Sequence, residues 1–195
     1  MANLLVVNVF TANGTWFKPE GLMSVDVIAR GSGANGISPY GGTGGDVVVT
    51  PRRIVGSDLP ASVSVIVGSA GAGSTFGDVL TVAGGSDSLG VGVLAGGVGG
   101  APGADGASTS GSVVRLLAGG GGGGGTGGGG GGSGLVPGVA TGVPGVGSPV
   151  FWEVCQSGSG GGAGKAGGFP SGGGGAGAAG AAGCVTILEH IFIPD

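Results

Sequence analysis

Charge is scarce in this sequence, with six Lys and Arg, ten Asp and Glu and a single His among 195 residues. A formal net charge of −4 and scattered cations offer no basic patch, which argues against a nucleic-acid-binding surface. Aromatic residues make up 5% of the chain, and the only cysteines are Cys155 and Cys184. His190 and two distant cysteines do not have zinc-ligand spacing, and one histidine leaves little for a nucleophile–base pair. No GxSxG turn occurs, and no motif brings two carboxylates together. The chain therefore reads as non-enzymatic, with no cofactor and no metal. Its start, MANLLVVNVF, lacks a basic region and has too short an apolar run for a signal peptide. Without an export signal, Cys155 and Cys184 read as buried thiols, with a disulfide between them as the alternative. The charge-free stretch 116–152 carries Pro137, Pro144, Pro149 and many glycines, so it lacks the apolar side chains of a membrane-spanning helix.

Glycine is what the chain has in excess: 57 residues, with ten prolines besides. A helical bundle is excluded, because each glycine costs a helix about 1 kcal/mol relative to alanine. A disordered acidic tail fits poorly with 40% apolar residues. The glycine is also unevenly placed. Residues 1–30 hold two, residues 121–150 hold sixteen, and 119–134 is glycine at every position except Thr126 and Ser133.

Strand patterns fill the glycine-poor regions. Residues 4–10 are apolar and valine-rich, Asn13-Gly14 signals a tight turn, and 15–17 resume an extended run. Residues 24–28 alternate polar and apolar. Further strands are expected at 46–50, 62–67, 78–83, 113–117, 150–154 and 184–193. The last is apolar on both faces, a pattern of strands buried inside a sheet or between subunits. The expected architecture is a single all-β domain. Residues 1–90 and 184–195 would form a β-sandwich-like frame around a glycine-rich body at 91–183, which contains a short strand near 150–154.

Gly/Ser-rich sequence defaults to flexible linker. Fibrous repeats are hinted at by GAPGADGAS at 100–108, VPGVG at 143–147 and AGAAGAA at 176–182, but none continues, so each reads as a coincidence of composition. The reading we carry forward is a bundle of polyglycine II-type helices. Such a helix has three residues per turn and no internal hydrogen bonds, so its buried N–H and C=O groups must pair with neighbours. Ordering the backbone costs about 1–2 kcal/mol per residue, and a hydrogen bond returns about 1 kcal/mol net. The bundle is viable only if nearly every glycine is paired and a conventional β core holds its ends.

The remaining motifs favour structure over chemistry. Gly31-Ser-Gly33-Ala-Asn-Gly36 matches GxGxxG, yet the following Ile37-Ser38-Pro39-Tyr40 cannot start the helix that a dinucleotide site needs. The stretch ending in Gly164-Lys165 fails as a phosphate loop, with Ser159 and Ala166 at key positions. GGTGGDVVV at 41–49 is one copy of a calcium nonapeptide whose sites require successive repeats. His190 reads as a paired or surface residue. Tyr40, Phe151, Trp152 and Phe169 are the large side chains outside the strand frame. They are expected to cap the glycine body, and they are also candidates for receptor contact. Leu188, Ile191, Phe192 and Ile193 are candidates for an assembly interface.

Phe10-Thr-Ala-Asn-Gly14-Thr15-Trp16-Phe17-Lys18-Pro19-Glu-Gly21, followed by Val25-Asp-Val27-Ile28 running into Gly31, resembles the opening of glycine-rich bacteriophage tail proteins. Ser74-Thr75-Phe76-Gly77-Asp78 with Val82-Ala83-Gly84-Gly85, and the close Gly183-Cys184-Val185-Thr186-Ile187, are similar to later segments of that family. The family's GGGxGG is here the poorer Gly31-Ser-Gly33-Ala-Asn-Gly36. The resemblance implies a virion component assembled in the host cytoplasm, a minor tail protein or fibre tip. Its partners would be other tail proteins, further copies of itself (a trimer among the options) and a host-surface glycan or protein. A capsid decoration or head-fibre protein of the same fold is the alternative.

Overall fold

The computed structural model describes residues 2–85, 94–109, 118–148 and 156–194. Among these described residues, nine strands form two antiparallel sheets: β1 (Ala2–Phe10), β2 (Gly14–Phe17), β3 (Leu22–Arg30), β4 (Val47–Val49), β5 (Ile54–Val55), β6 (Ser62–Ile66), β7 (Ser74–Phe76), β8 (Leu80–Val82) and β9 (Cys184–Ile193). One sheet runs β1-β9-β3-β4, with β5 also paired to β3, and the other runs β2-β6-β7-β8. The chain is all-β, as the strand patterns predict. The expected strands at 113–117 and 150–154, with Phe151, Trp152 and Cys155, lie outside the described residues. Two short strands, β5 and β7, were not predicted; at two and three residues they are too short to show a period.

Alternation decides which side chains enter the core. In β6, Val63 and Val65 point inward while Ser62, Ser64 and Ile66 face solvent. They meet Val25, Val27 and Ala29 of β3 and Val185 and Ile187 of β9, with Trp16, Phe76 and Val82 completing the layer. Trp16 and Phe76 pack edge to face, centroids 5.6 Å apart at 67°. Burying each such side chain is worth about 1.5–3 kcal/mol. The Trp16 indole N–H donates to the buried Glu189 carboxylate.

β9 sits inside its sheet, paired with β1 on one side and β3 on the other. Its two apolar faces follow from that position: Val185 and Ile187 face the main core, and Leu188 packs against a second cluster of Ile28, Val47 and Ala118. Asn13-Gly14 does not close a hairpin, since β1 and β2 belong to different sheets. The Asn13 side chain instead accepts the Val67 N–H at 2.8 Å, tying the turn to the chain just past β6.

The expected frame boundary at residue 90 is not a clean one. Residues 31–36 and 41–46, between β3 and β4, already lie in the glycine body: Gly33 donates to Ala181, and Gly42 to Gly174. Polar side chains fasten body to frame. Buried Arg30, the last residue of β3, donates from Nε to Ser157 Oγ at 3.1 Å, and Ser32 Oγ donates to the Ala72 carbonyl at 2.9 Å.

Candidate functional site

Residues 118–124 are buried along their whole length and run through the centre of the body. Their hydrogen bonds repeat every third residue. Gly119 and Gly122 donate to the carbonyls of Gly45 and Gly42, Gly120 and Gly123 to Gly158 and Gly161, and Gly121 and Gly124 to Ala107 and Ala104. Their carbonyls accept with the same period: Gly119 and Gly122 from Gly97 and Gly100, and Gly120 and Gly123 from Gly173 and Ala176, while Gly121 accepts from Gly131. One extended segment is thus bonded to six others. The same step of three links 158, 161 and 164 to 170, 173 and 176, and links 159 and 162 to 146 and 143.

Backbones this close leave no room for Cβ. A methyl group on Gly122 would overlap the Gly174 carbonyl oxygen, one on Gly160 that of Gly121, and one on Gly130 that of Gly160. The GxGxxG glycines follow this rule too. Gly31, Gly33 and Gly36 lie against the backbone of Ala83, Gly172 and Gly175, and the next residues form a turn rather than a helix. The match therefore has a packing cause.

The triplet fragments acquire a meaning that composition did not show. In GAPGADGAS, Gly100 and Gly106 are buried, while Gly103, at a φ of +77°, and all the non-glycine residues are exposed. In AGAAGAA and the Gly183 that follows it, Gly180 and Gly183 lie against the carbonyls of Gly33 and Arg30. Each fragment folds back at an exposed glycine of positive φ, Gly103 or Gly177, and has its other glycines against the body, so these segments lie at its rim.

Six turns gather at the end of the body away from the β frame, the end reached by residues 31–36 as they leave β3. Each is closed by a backbone bond: Tyr40 to Ile37, Ala104 to Ala101, Gly128 to Gly124, Val143 to Ala140, Lys165 to Gly162 and Ala178 to Gly175. Bonds between turns join them into one surface. Gly125 donates to Pro39, Thr141 Oγ1 to Gly127, Gly164 to Ala176 and Gly177 to Gly36. Gly142 and Gly164 have φ of +72° and +74°, with open space where a Cβ would sit. Ile37 (78% exposed) and Tyr40 (56%) stand on this tip, beside an open groove of about 620 Å³ that Asn35 and Thr43 also line.

Of the candidate receptor contacts among the described residues, Tyr40 and Phe169, Tyr40 stands on the tip. Phe169 is half-buried near the other end, where its carbonyl accepts the Ser148 N–H and the adjoining Pro170 accepts from Gly158. Ile37 was not singled out, although its place between Gly36 and Pro39 marks it as a turn residue. Of the assembly candidates, Leu188 and Ile191 are half-buried, while Phe192 and Ile193 are exposed at the end of β9. His190 Nε2 lies 3.2 Å from Asp26 Oδ2, and Arg53 Nε donates to the same oxygen at 3.0 Å.

No protein-family model matches the chain, and no curated protein matches it.

Proposed function

We propose that this protein is a structural component of a bacteriophage tail, at a fibre tip or as a minor tail protein. Its glycine body, built of polyglycine II-type helices, would present the six-turn surface to the host. The observation that carries the proposal is the gathering of all six turns at one end of a body whose backbone is bonded in every direction. A surface of this kind can change its turn residues without disturbing the packing beneath them, as receptor recognition demands. The period of three in the hydrogen bonds supports the polyglycine II reading, since that helix has three residues per turn. The glycine-rich tail-protein resemblance supplies the virion setting.

The test is adsorption. A variant carrying Ile37→Ser, Tyr40→Ala and Lys165→Ala changes only exposed tip residues, so it should melt like the parent protein. It is expected to lose attachment to host cells, and unchanged attachment would remove the tip from the proposal. Immunogold labelling of intact particles is expected at the tail tip. Label on the head would favour the decoration-protein alternative. Amide exchange at Gly119–Gly124 should be slow, and exchange at the rate of an unfolded peptide would defeat the rigid-body reading.

A further inference from the structure

The nine residues of β1 form an edge about 30 Å long, paired with β9 in unbroken register from Ala2↔Ile193 to Phe10↔Val185. Among the described residues, nothing pairs with its other side. Edge strands are normally kept from pairing by shortness, charge, proline, a bulge or a covering loop. The other sheet-end strands, β2, β4 and β8, are only three or four residues long. Among the described residues, β1 has none of these devices. Its sequence is ANLLVVNVF, and no charged residue occurs before Lys18. It is also apolar and open on both faces: Leu5 and Val7 are 55% and 49% exposed on one face, and Leu4 is 45% exposed on the other. Phe192, opposite Asn3 in the register, extends the Leu5/Val7 face.

We infer that β1 pairs with β1 of a second copy, joining the two five-stranded sheets into one continuous sheet across a twofold axis. Unpaired N–H and C=O groups along an edge call for another strand, and two observations fit this chain's own. A partner chosen by charge would need charges to read, and residues 2–17, which supply β1 and β2, have none. Pairing β1 with itself also brings no like charges together.

The second observation is symmetry. A twofold axis perpendicular to the sheet keeps each face on its own side, so residues opposite one another must be of equal parity in the sequence. The register centred on Val6 meets this condition and uses all nine residues. It places Val6 against Val6 and Leu5 against Val7, and it gathers Leu5, Val7 and Phe192 of both copies on one face. The inference stands on this edge geometry and does not depend on the virion reading.

Sedimentation equilibrium of the full chain is expected to show a dimer at about 50 µM. The double variant Leu5→Lys/Val7→Lys puts charge on exposed positions, so it should keep the parent far-UV spectrum and melting point. It is expected to weaken dimerisation about tenfold or more. The Val6→Cys variant reads the register directly, because facing Cα atoms about 4.5–5.5 Å apart suit a disulfide. Mild oxidation should link Val6→Cys across the axis and leave Leu4→Cys unlinked, with the parent protein as the blank for Cys155 and Cys184. A parent protein that stays monomeric, assembles as a trimer, or dimerises equally well with both lysines present overturns the inference. So does Leu4→Cys linking as readily as Val6→Cys. A monomer whose outward-facing β1 amides, those not bonded to β9, resist exchange would point instead to a strand from elsewhere in the same chain.

Discussion

The β frame and the glycine body solve the same problem with opposite materials. In the frame, side chains do the holding: Trp16, Phe76, Ile187 and the valines of four strands bury apolar surface, and the strand backbones pair within two sheets. In the body, side chains are nearly absent and the backbone bonds in all directions, so each central glycine segment can have up to six neighbours. Hydrophobic burial carries its own surplus of about 25 cal/mol per Å². A hydrogen bond barely offsets the entropy of the residue that makes it. The body thus depends on completeness, while the frame depends on bulk.

That contrast predicts where small changes do the most harm. Gly122→Ala adds one methyl group against the Gly174 carbonyl, where only backbone can give way. It is expected to cost about 4 kcal/mol or more, enough to prevent folding of a marginally stable domain. The same change at Gly142 on the tip meets no neighbour and strains only a positive φ, a cost of about 1 kcal/mol. Urea unfolding of the two variants checks the pair, and equal losses would break the comparison.

Next in size is Phe76→Ala in the frame. Phe76 is fully buried against Trp16, and its loss should cost about 3–5 kcal/mol by leaving a cavity. Ile37→Ala on the exposed tip should change stability by no more than about 0.5 kcal/mol. Paired denaturant curves measure both.

The smallest effect lies at the seam. Asp46, buried where the body meets β4, accepts the Gly96 N–H at 2.7 Å. Burial raises its pKa above the usual carboxylate value, and the Gly96 bond offsets this only in part. With the folded-state pKa above the unfolded one, protonation favours the fold. This group's contribution to stability therefore rises as pH falls through the folded pKa, levels off below the unfolded value, and is a cost at neutral pH. Asp46→Asn keeps an acceptor for Gly96 without the charge, so it should raise Tm at pH 7 by about 1–2 °C, a gain that disappears in acid. Calorimetry across that pH range tests the sign.

The strands were legible because their side chains carry a period. Residues 24–28 and 62–67 alternate, and the structure buries the residues that the alternation selects, Val25, Val27, Val63 and Val65. β5 and β7 escaped because two or three residues hold no period. In the body the triplet fragments were visible but read as coincidences of composition, and only the structure put them at the rim. The all-glycine centre offered no such handle. Tyr40 could be named from the sequence as a receptor-contact candidate, but its grouping with Thr141 and Lys165 could not, since those residues lie far along the chain from it.

By itself the sequence determined that the ends form strands and that the middle tolerates only glycine. Each of these rests on side chains present or absent at a fixed period. Only the tertiary structure decided which segment bonds to which, that six turns share one end, that β9 lies inside its sheet and that β1 is left at the edge. Every glycine offers the same N–H and C=O, so the sequence holds no code for pairing within the body. The register there is imposed by the β frame and by where the turns fall.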